Sequence, residues 1–224
     1  LTGFELNGRA VTVSVAAGER LSHTLREQLD TRDVKIGCNS GDCGACTVLV
    51  DGAAVCACLM PTQQAEGKTL ETLAGLVRAD PHAKALVQSF QNNQAAQCGI
   101  CTPGIMVSAV ALLRAVPKPT VEQVQDALGG VLCRCTGYRK IIDAVSEAGH
   151  PDVASVVPLG SGAVGTSIPR LDGLRKVQGR EMFGDDVAPA GALVIKAVRS
   201  PFPRAAFEFG DLDRFVTGTP GLHM

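Results

Sequence analysis

Apolar and polar positions alternate at the start of the chain, in "FEL" and "AVTVSV", on either side of Asn7-Gly8. Period-two alternation marks strands buried on one face, and Asn-Gly between two such runs predicts a tight hairpin. From Leu21 to Leu29 the apolar positions take helical spacing with no breaker. A second alternating stretch, "CTVLVDGAAVCACL", turns at Asp51-Gly52. Strand, strand, helix, strand, strand predicts a small α+β unit. After Thr69 the pattern becomes helical. One helix is predicted over Ala83–Gln91 and another from Thr102, as N-cap with Pro103 at the first helical position, to Val116. A third opens at Thr120, with Gln123 completing a capping box, and stops at Gly129-Gly130. The fourth runs from Tyr138 to Ala148, with Gly149 as its C-terminal cap. Four helices with short links predict a bundle. The stretch "HPDVASVVPLGSGAVGTSIP" reads as a linker rich in Gly, Ser and Pro, and a β-rich segment is expected beyond it.

Composition narrows the choices. Hydrophobic residues make up 46% of the 224 and charged residues 19%, so buried cores are within reach. Aromatics are 4%, with no Trp and one Tyr, which predicts aliphatic cores. The net charge of −1 and the lack of a basic run argue against nucleic acid as a partner. No apolar stretch reaches the roughly 18 residues of a membrane span. The longest, Ile105–Leu113, fits a buried helix. The chain opens on Leu1 rather than Met, so residues in front of it, a signal peptide included, stay open.

All nine cysteines fall between Cys38 and Cys135, in two groups. An odd count in a chain this long does not suit a secreted disulfide framework. The first group reads Cys38-x4-Cys43-x2-Cys46-x11-Cys58, the plant-type [2Fe-2S] spacing. Such a cluster is anionic and needs backbone N–H groups aimed at its sulfurs; Gly37, Gly41 and Gly44 let a loop wrap that closely. A zinc site made of four cysteines is the competing reading, but it usually pairs two tight cysteine knuckles. Cys56 stands two residues before Cys58, on the same strand face if the strand continues. It is a competing ligand or, the blander choice, a small buried hydrophobe. The second group is a C-x2-C pair, Cys98 and Cys101, and a C-x-C pair, Cys133 and Cys135. Each pair precedes a helix start, where free N–H donors and the positive dipole end favour thiolates and an anionic cluster. Two clusters in one chain point to electron relay.

Taken together, "GCNSGDCGACTVLVDG…CACL", "QCGICTPGIMVSA" and "CRCTGYRKIIDAV" resemble the iron–sulfur region of the molybdenum hydroxylases, the xanthine oxidase and aldehyde oxidoreductase family. The resemblance implies a β-grasp ferredoxin domain over 1–76 and a four-helix-bundle domain over 77–150, then a linker over 151–168. It implies two [2Fe-2S] clusters: an outer one on Cys38, Cys43, Cys46 and Cys58, and an inner one on Cys98, Cys101, Cys133 and Cys135. It places the inner cluster beside the pterin of a molybdenum cofactor, with Cys135 the nearest ligand and Gln97 against it. Further on, "KVQGREMFGDD", "AVRSPFPRA" and "PGL" are similar to the start of the family's molybdenum-binding part, which puts that part at 169–224 with no flavin domain before it. No position matches the family's catalytic Glu, and Asp185 and Arg199 receive no role. The molybdenum–pterin cofactor is therefore expected on a partner chain or on further polypeptide.

The implied activity is oxidation of an aldehyde or an electron-poor N-heterocycle with water-derived oxygen, electrons leaving singly through the clusters to an acceptor such as a flavin subunit or a cytochrome. The rival enzymatic reading is a free-standing two-cluster electron carrier for another dehydrogenase. A zinc-stabilised adaptor is the non-redox alternative. Reducing surroundings suit exposed thiols and point to the cytoplasm, with a periplasmic location after export of the folded complex as the alternative.

Overall fold

The asparagine–glycine and aspartate–glycine turns form as the sequence dictates. In the computed structural model, which describes residues 1–149, 168, 170–193, 195, 197 and 199–221, strands β1 (Thr2–Leu6) and β2 (Arg9–Val13) pair antiparallel. Between them Asn7 and Gly8 have φ of 51° and 81°. Strands β3 (Thr47–Val50) and β4 (Ala53–Cys56) repeat the device, with Asp51 at 49° and Gly52 at 82°. Positive φ at both central residues matches the turn to the strand twist. A strand absent from the sequence reading, β5 (Thr69–Glu71), completes the sheet; it runs parallel to β1 and antiparallel to β3, giving the order β2-β1-β5-β3-β4. At three residues it is too short to carry a readable alternation.

The helix expected over Leu21–Leu29 is interrupted. Helix α1 (Leu21–His23) passes into a π-helical turn over Thr24–Gln28, and the Leu29 amide bonds the Thr24 carbonyl five residues back. Leu21 and Leu25 stay fully buried against Phe4, Val48 and Leu70. Arg26 also turns inward and donates to the Val34 carbonyl at 2.8 Å.

Five helices, not four, follow within 73–149: α2 (Leu73–Ala79), α3 (Pro81–Asn92), α4 (Thr102–Ala115), α5 (Val121–Leu128) and α6 (Arg139–Gly149). The capping box of α5 forms as read, Thr120 and Gln123 each bonding the other's backbone. Asp80 caps α3 through the Ala83 amide at 3.0 Å. Helix α4 is the centre of the core: Ile105, Met106, Val107, Ala109, Val110 and Leu113 are each 1% exposed or less. Leu49 of β3 joins the same cluster, so β3, buried along all four residues, packs on the sheet's own core and on α4. The aliphatic core that composition predicted is what packs here, with Phe90 the aromatic exception.

The predicted linker falls mostly outside the described residues. Beyond it, helix α7 (Gly173–Val177), a 3-10 turn at Gly184–Asp186 and helix α8 (Leu212–Gly218) appear. The β-rich expectation is not met among the described residues of this segment, none of which lies in a strand. "AAFEF" alternates correctly, but a strand persists only where its backbone groups find a partner. Two compact units result, Leu1–Val187 and Ala188–Met224. In the second, Asp211 caps α8 through the Arg214 amide at 2.9 Å, and the exposed Phe207 and Phe209 rings meet edge to face at 5.4 Å.

Candidate metal centres

Three of the first four thiols, Cys38, Cys43 and Cys46, lie on the loop between the π-helical turn and β3, and the fourth, Cys58, follows β4. Cys38 is exposed and Cys43 half-buried, while Cys46 and Cys58 are 3% and 2% exposed. Cys58 sits just past the end of β4, in the turn after Cys56, so the same-face relation expected for the two does not apply. The Cys38 sulfur accepts the Ser40 and Cys43 amides, both at 3.4 Å, and the Cys46 sulfur accepts the Cys58 amide at 3.4 Å. Ser40, through side chain and amide, and the Cys43 amide bring the Cys38 thiol down to about 6. Burial pushes the Cys46 thiol up to about 12. Two of these hydrogen bonds link the cysteines directly, the Cys43 amide to the Cys38 sulfur and the Cys58 amide to the Cys46 sulfur. Cys56, half-buried and raised by burial, stands opposite Thr47 in the β3–β4 pair and meets the other thiols only through longer-range charge.

The second set joins two elements. Cys101, expected just before the cap, is itself the N-cap residue of α4, one position earlier than Thr102, and its carbonyl accepts the Ile105 amide at 3.0 Å. Cys133 and Cys135 lie on the turn between α5 and α6, and α6 opens at Arg139 because Tyr138 takes φ 67°. Cys98 and Cys135 are exposed, Cys133 is half-buried and Cys101 buried. Burial raises Cys101, with the Cys133 and Cys98 charges adding to it. The Cys98 thiol raises Cys135. Cys133 is lowered on balance: burial opposes, but the Thr136 hydroxyl and the Thr136 and Cys135 amides prevail.

Two residues here escaped the sequence reading. The Tyr138 hydroxyl accepts the Cys133 amide at 2.7 Å and donates to the Val131 carbonyl at 3.1 Å, and the Thr136 hydroxyl lies 3.1 Å from the Cys133 sulfur. Both belong to the "CRCTGY" motif, so the signal was present, but Tyr138 was read only as a helix start. The two sets also touch. The Leu132 amide donates to the Cys43 carbonyl at 2.9 Å. A Cβ on Gly44 would stand 2.1 Å from the Gly130 carbonyl oxygen, and one on Gly104 2.5 Å from that of Gly44. Gly44 and Gly104 are thus the residues that let the first loop, the second turn and the head of α4 meet backbone to backbone. Gln97 is exposed immediately before Cys98.

The donor chemistry fits a two-iron cluster at each set. All eight donors are soft sulfurs, and at Cys46 and Cys101 burial opposes a free thiolate, which a bound metal's positive charge would compensate. Among the described residues no group of three or more His, Cys, Asp or Glu is gathered for one metal ion.

The comparisons agree in kind. Residues 4–76 match a family described as a 2Fe-2S iron-sulfur cluster binding domain and residues 69–146 one described as a [2Fe-2S] binding domain. Nicotine 6-hydroxylase small subunit from Paenarthrobacter nicotinovorans is 46% identical over 144 residues, 64% of this chain and 86% of the relative. Aldehyde oxidoreductase from Megalodesulfovibrio gigas is 33% identical over 232 residues, covering 97% of this chain and 25% of the relative. A solved structure of aldehyde oxidoreductase from Desulfovibrio gigas superposes with a TM-score of 0.75 at 34% identity, over 83% of this chain and 22% of that one.

Proposed function

Because the chain belongs to the xanthine oxidase family of molybdenum hydroxylases, we propose that it is the iron–sulfur electron-transfer part of such an enzyme, acting on an aldehyde or N-heterocycle. What supports this reading is that all eight candidate ligand cysteines fall within the segments that match 2Fe-2S binding domains, residues 4–76 and 69–146, and that the likeness to aldehyde oxidoreductase runs over 97% of the chain. When bound, the two [2Fe-2S] clusters supply one-electron steps between the two-electron chemistry of a molybdenum centre and an external acceptor.

This chain's residues hold and tune those groups. Cys38, Cys43, Cys46 and Cys58 are the ligands of the outer cluster and Cys98, Cys101, Cys133 and Cys135 those of the inner one. The Ser40, Cys43 and Cys58 amides stabilise thiolate charge at the first set, and the Thr136 hydroxyl does so at the second. The exposed Cys98 and Cys135, with Gln97 beside them, form the face for a pterin held by the molybdenum-binding partner or further polypeptide. Residues 1–76 take the ferredoxin role with a β-grasp fold, 77–150 the helical-bundle role, and 169–224 the opening of the molybdenum-binding part. A flavin subunit or a cytochrome is the proposed acceptor, and the cytoplasm the proposed compartment. Among the described residues no helix is long and apolar enough to cross a membrane.

A free-standing carrier is the weaker reading, because the likeness to aldehyde oxidoreductase extends over 97% of the chain, well past the cysteines. Metal and sulfide analysis of freshly isolated native complex, with its intact mass, tests the proposal. The expected result is about four irons and four sulfides per chain, with a molybdenum-bearing mass alongside; zinc in place of iron overturns it.

A further inference from the structure

Residues 170–187 touch the chain just upstream of both ligand loops. At one end Arg170 donates to the carbonyl of Ala96 at 3.2 Å, two residues before Cys98. Lys176, 7% exposed and paired to Asp172, lays its stem across Gly99, where a Cβ would stand 2.9 Å from its Cγ. Val177 is buried in the helical core. At the other end the chain crosses to Lys35, three residues before Cys38. The Lys35 side chain is 2% exposed; its Nζ donates to the Glu181 carbonyl at 2.7 Å, lies 3.6 Å from Asp186 and faces the Phe183 ring at 5.0 Å. Asp186, itself 3% exposed, accepts from Arg26, which in turn donates to the carbonyl of Val34 at 2.8 Å. Phe183 and Asp186 brace each other, the Phe183 amide donating to the Asp186 carboxylate at 3.0 Å.

We propose that residues 170–187 are a strap that clamps the backbone entering each ligand loop, through Asp186 on Arg26 and Lys35 and through Arg170 and Lys176 on Ala96 and Gly99, and so fixes one cluster against the other. Arg26, Lys35 and Asp186 are positioning residues: they touch no ligand sulfur, and act through Val34 and Lys35 on the chain that enters Cys38. The charges are buried and compensated, so removing one partner leaves the others exposed to the full desolvation cost. An anchor of surface ion pairs would be too weak for this task. The likeness to the nicotine 6-hydroxylase small subunit covers 64% of this chain, whereas that to aldehyde oxidoreductase covers 97% and so takes in the strap. The proposal rests on the two-cluster reading, which iron and sulfide content checks separately.

The test uses the full chain in its native complex, comparing wild type with Asp186→Asn and with Arg114→Met. The second is a control that breaks the Arg114 ion pairs to Glu71 and Asp80, away from the strap. Amide exchange and resonance at full reduction are the readouts. With Asp186→Asn, the amides of 34–46 should exchange on the order of tenfold faster while those of α4 keep their rates. The spin–spin interaction between the reduced clusters should change, with four irons retained. Arg114→Met should alter neither. Unchanged exchange over 34–46 together with unchanged spin coupling in Asp186→Asn overturns the strap, as does an equal effect of both variants. Should Asp186→Asn fail to fold, Lys176→Met probes the other anchor. Faster exchange confined to 94–101 with irons intact supports the strap, and no change there overturns it. Wild type without iron would overturn the cluster reading instead.

Discussion

In the loop from Gly37 to Cys46, the donors aimed at sulfur are backbone amides, those of Ser40 and Cys43 on Cys38, with the Cys58 amide on Cys46. Around Cys133 two side-chain hydroxyls join the Thr136 and Cys135 amides: that of Thr136 at the sulfur and that of Tyr138 on the Cys133 amide. The first site therefore depends on how closely backbone can approach backbone. The second depends in addition on two particular hydroxyls and on a helix that begins at a proposed ligand, Cys101. Similar thiol chemistry thus exposes the two halves to different kinds of damage.

The largest break is ligand removal in the first site. Cys58→Ser should lose the outer cluster, about two of four irons, and leave the inner one. Cys56→Ser should keep all four, since Cys56 lies within β4 opposite Thr47 and the plant-type spacing selects Cys58. Iron analysis and visible spectra check both, and cluster loss on Cys56→Ser alone would reverse the ligand set.

Next come the glycines, which separate the two designs. Gly44 has φ 67° and would drive a Cβ to 2.1 Å from the Gly130 carbonyl oxygen. Gly44→Ala should cost about 3 kcal/mol, because backbone must move on both sides of the contact. Gly137 has φ 63° in the second site, yet nothing stands within 4 Å of its would-be Cβ. Gly137→Ala should cost about 1 kcal/mol, the left-handed conformation alone. Urea midpoints of the two variants decide it; equal losses would mean that the close approach at Gly44 is not what holds the loop.

A smaller effect belongs to the hydroxyl. Tyr138→Phe removes one acceptor and one donor from a half-buried pair of bonds and should cost about 1–2 kcal/mol. It should also broaden the resonance of the inner cluster while leaving that of the outer one unchanged. Equal broadening of both would deny Tyr138 its local role.

The sequence made the first site more legible than the second for the same physical reason. A backbone-donor loop needs glycines at fixed offsets from its cysteines, and Gly37, Gly41 and Gly44 announce it. Side-chain donors leave a fainter trace: Tyr138 carries both a hydroxyl and a left-handed backbone, and the pattern alone spoke only of a helix start. Hairpins with Asn7-Gly8 and Asp51-Gly52 were readable because the turn is chemically demanding. Strand β5 and helix α2 were not, because three and seven residues hold too little of a period and are placed by neighbours. The β-rich expectation beyond the linker is not met among the described residues, because a short strand persists only where a partner strand pairs with it. The strap's contacts join positions such as Lys35 and Asp186, which no local pattern connects.

Acid offers the finest test of how the halves differ at their charged turns. Asp80 is 8% exposed at the head of α3 and is lowered on balance: burial opposes, but the Ala83 amide and Arg114 prevail. Asp51, in the β3–β4 turn, is lowered by Lys68 and the Thr69 amide, but its side chain is 49% exposed. A carboxylate depressed in the folded state stabilises at every pH above its unfolded value of about 3.9, and that contribution is lost as pH falls through the folded value. Both turns should therefore weaken below about pH 4, and not on going alkaline. Salt separates them. The exposed Asp51–Lys68 pair is screened at an ionic strength of about 1 M, whereas the buried cap at Asp80 keeps most of its strength. Thermal midpoints followed from about pH 6 to about pH 3 should then show an acid slope that Asp80→Asn flattens at low and high salt. Asp51→Asn should flatten it only at low salt. Cluster loss in acid is common to both variants, so their difference isolates the carboxylates. An acid slope untouched by Asp80→Asn would mean that the Asp80–Arg114 contact does not join α3 to α4 energetically, whatever its 2.8 Å geometry.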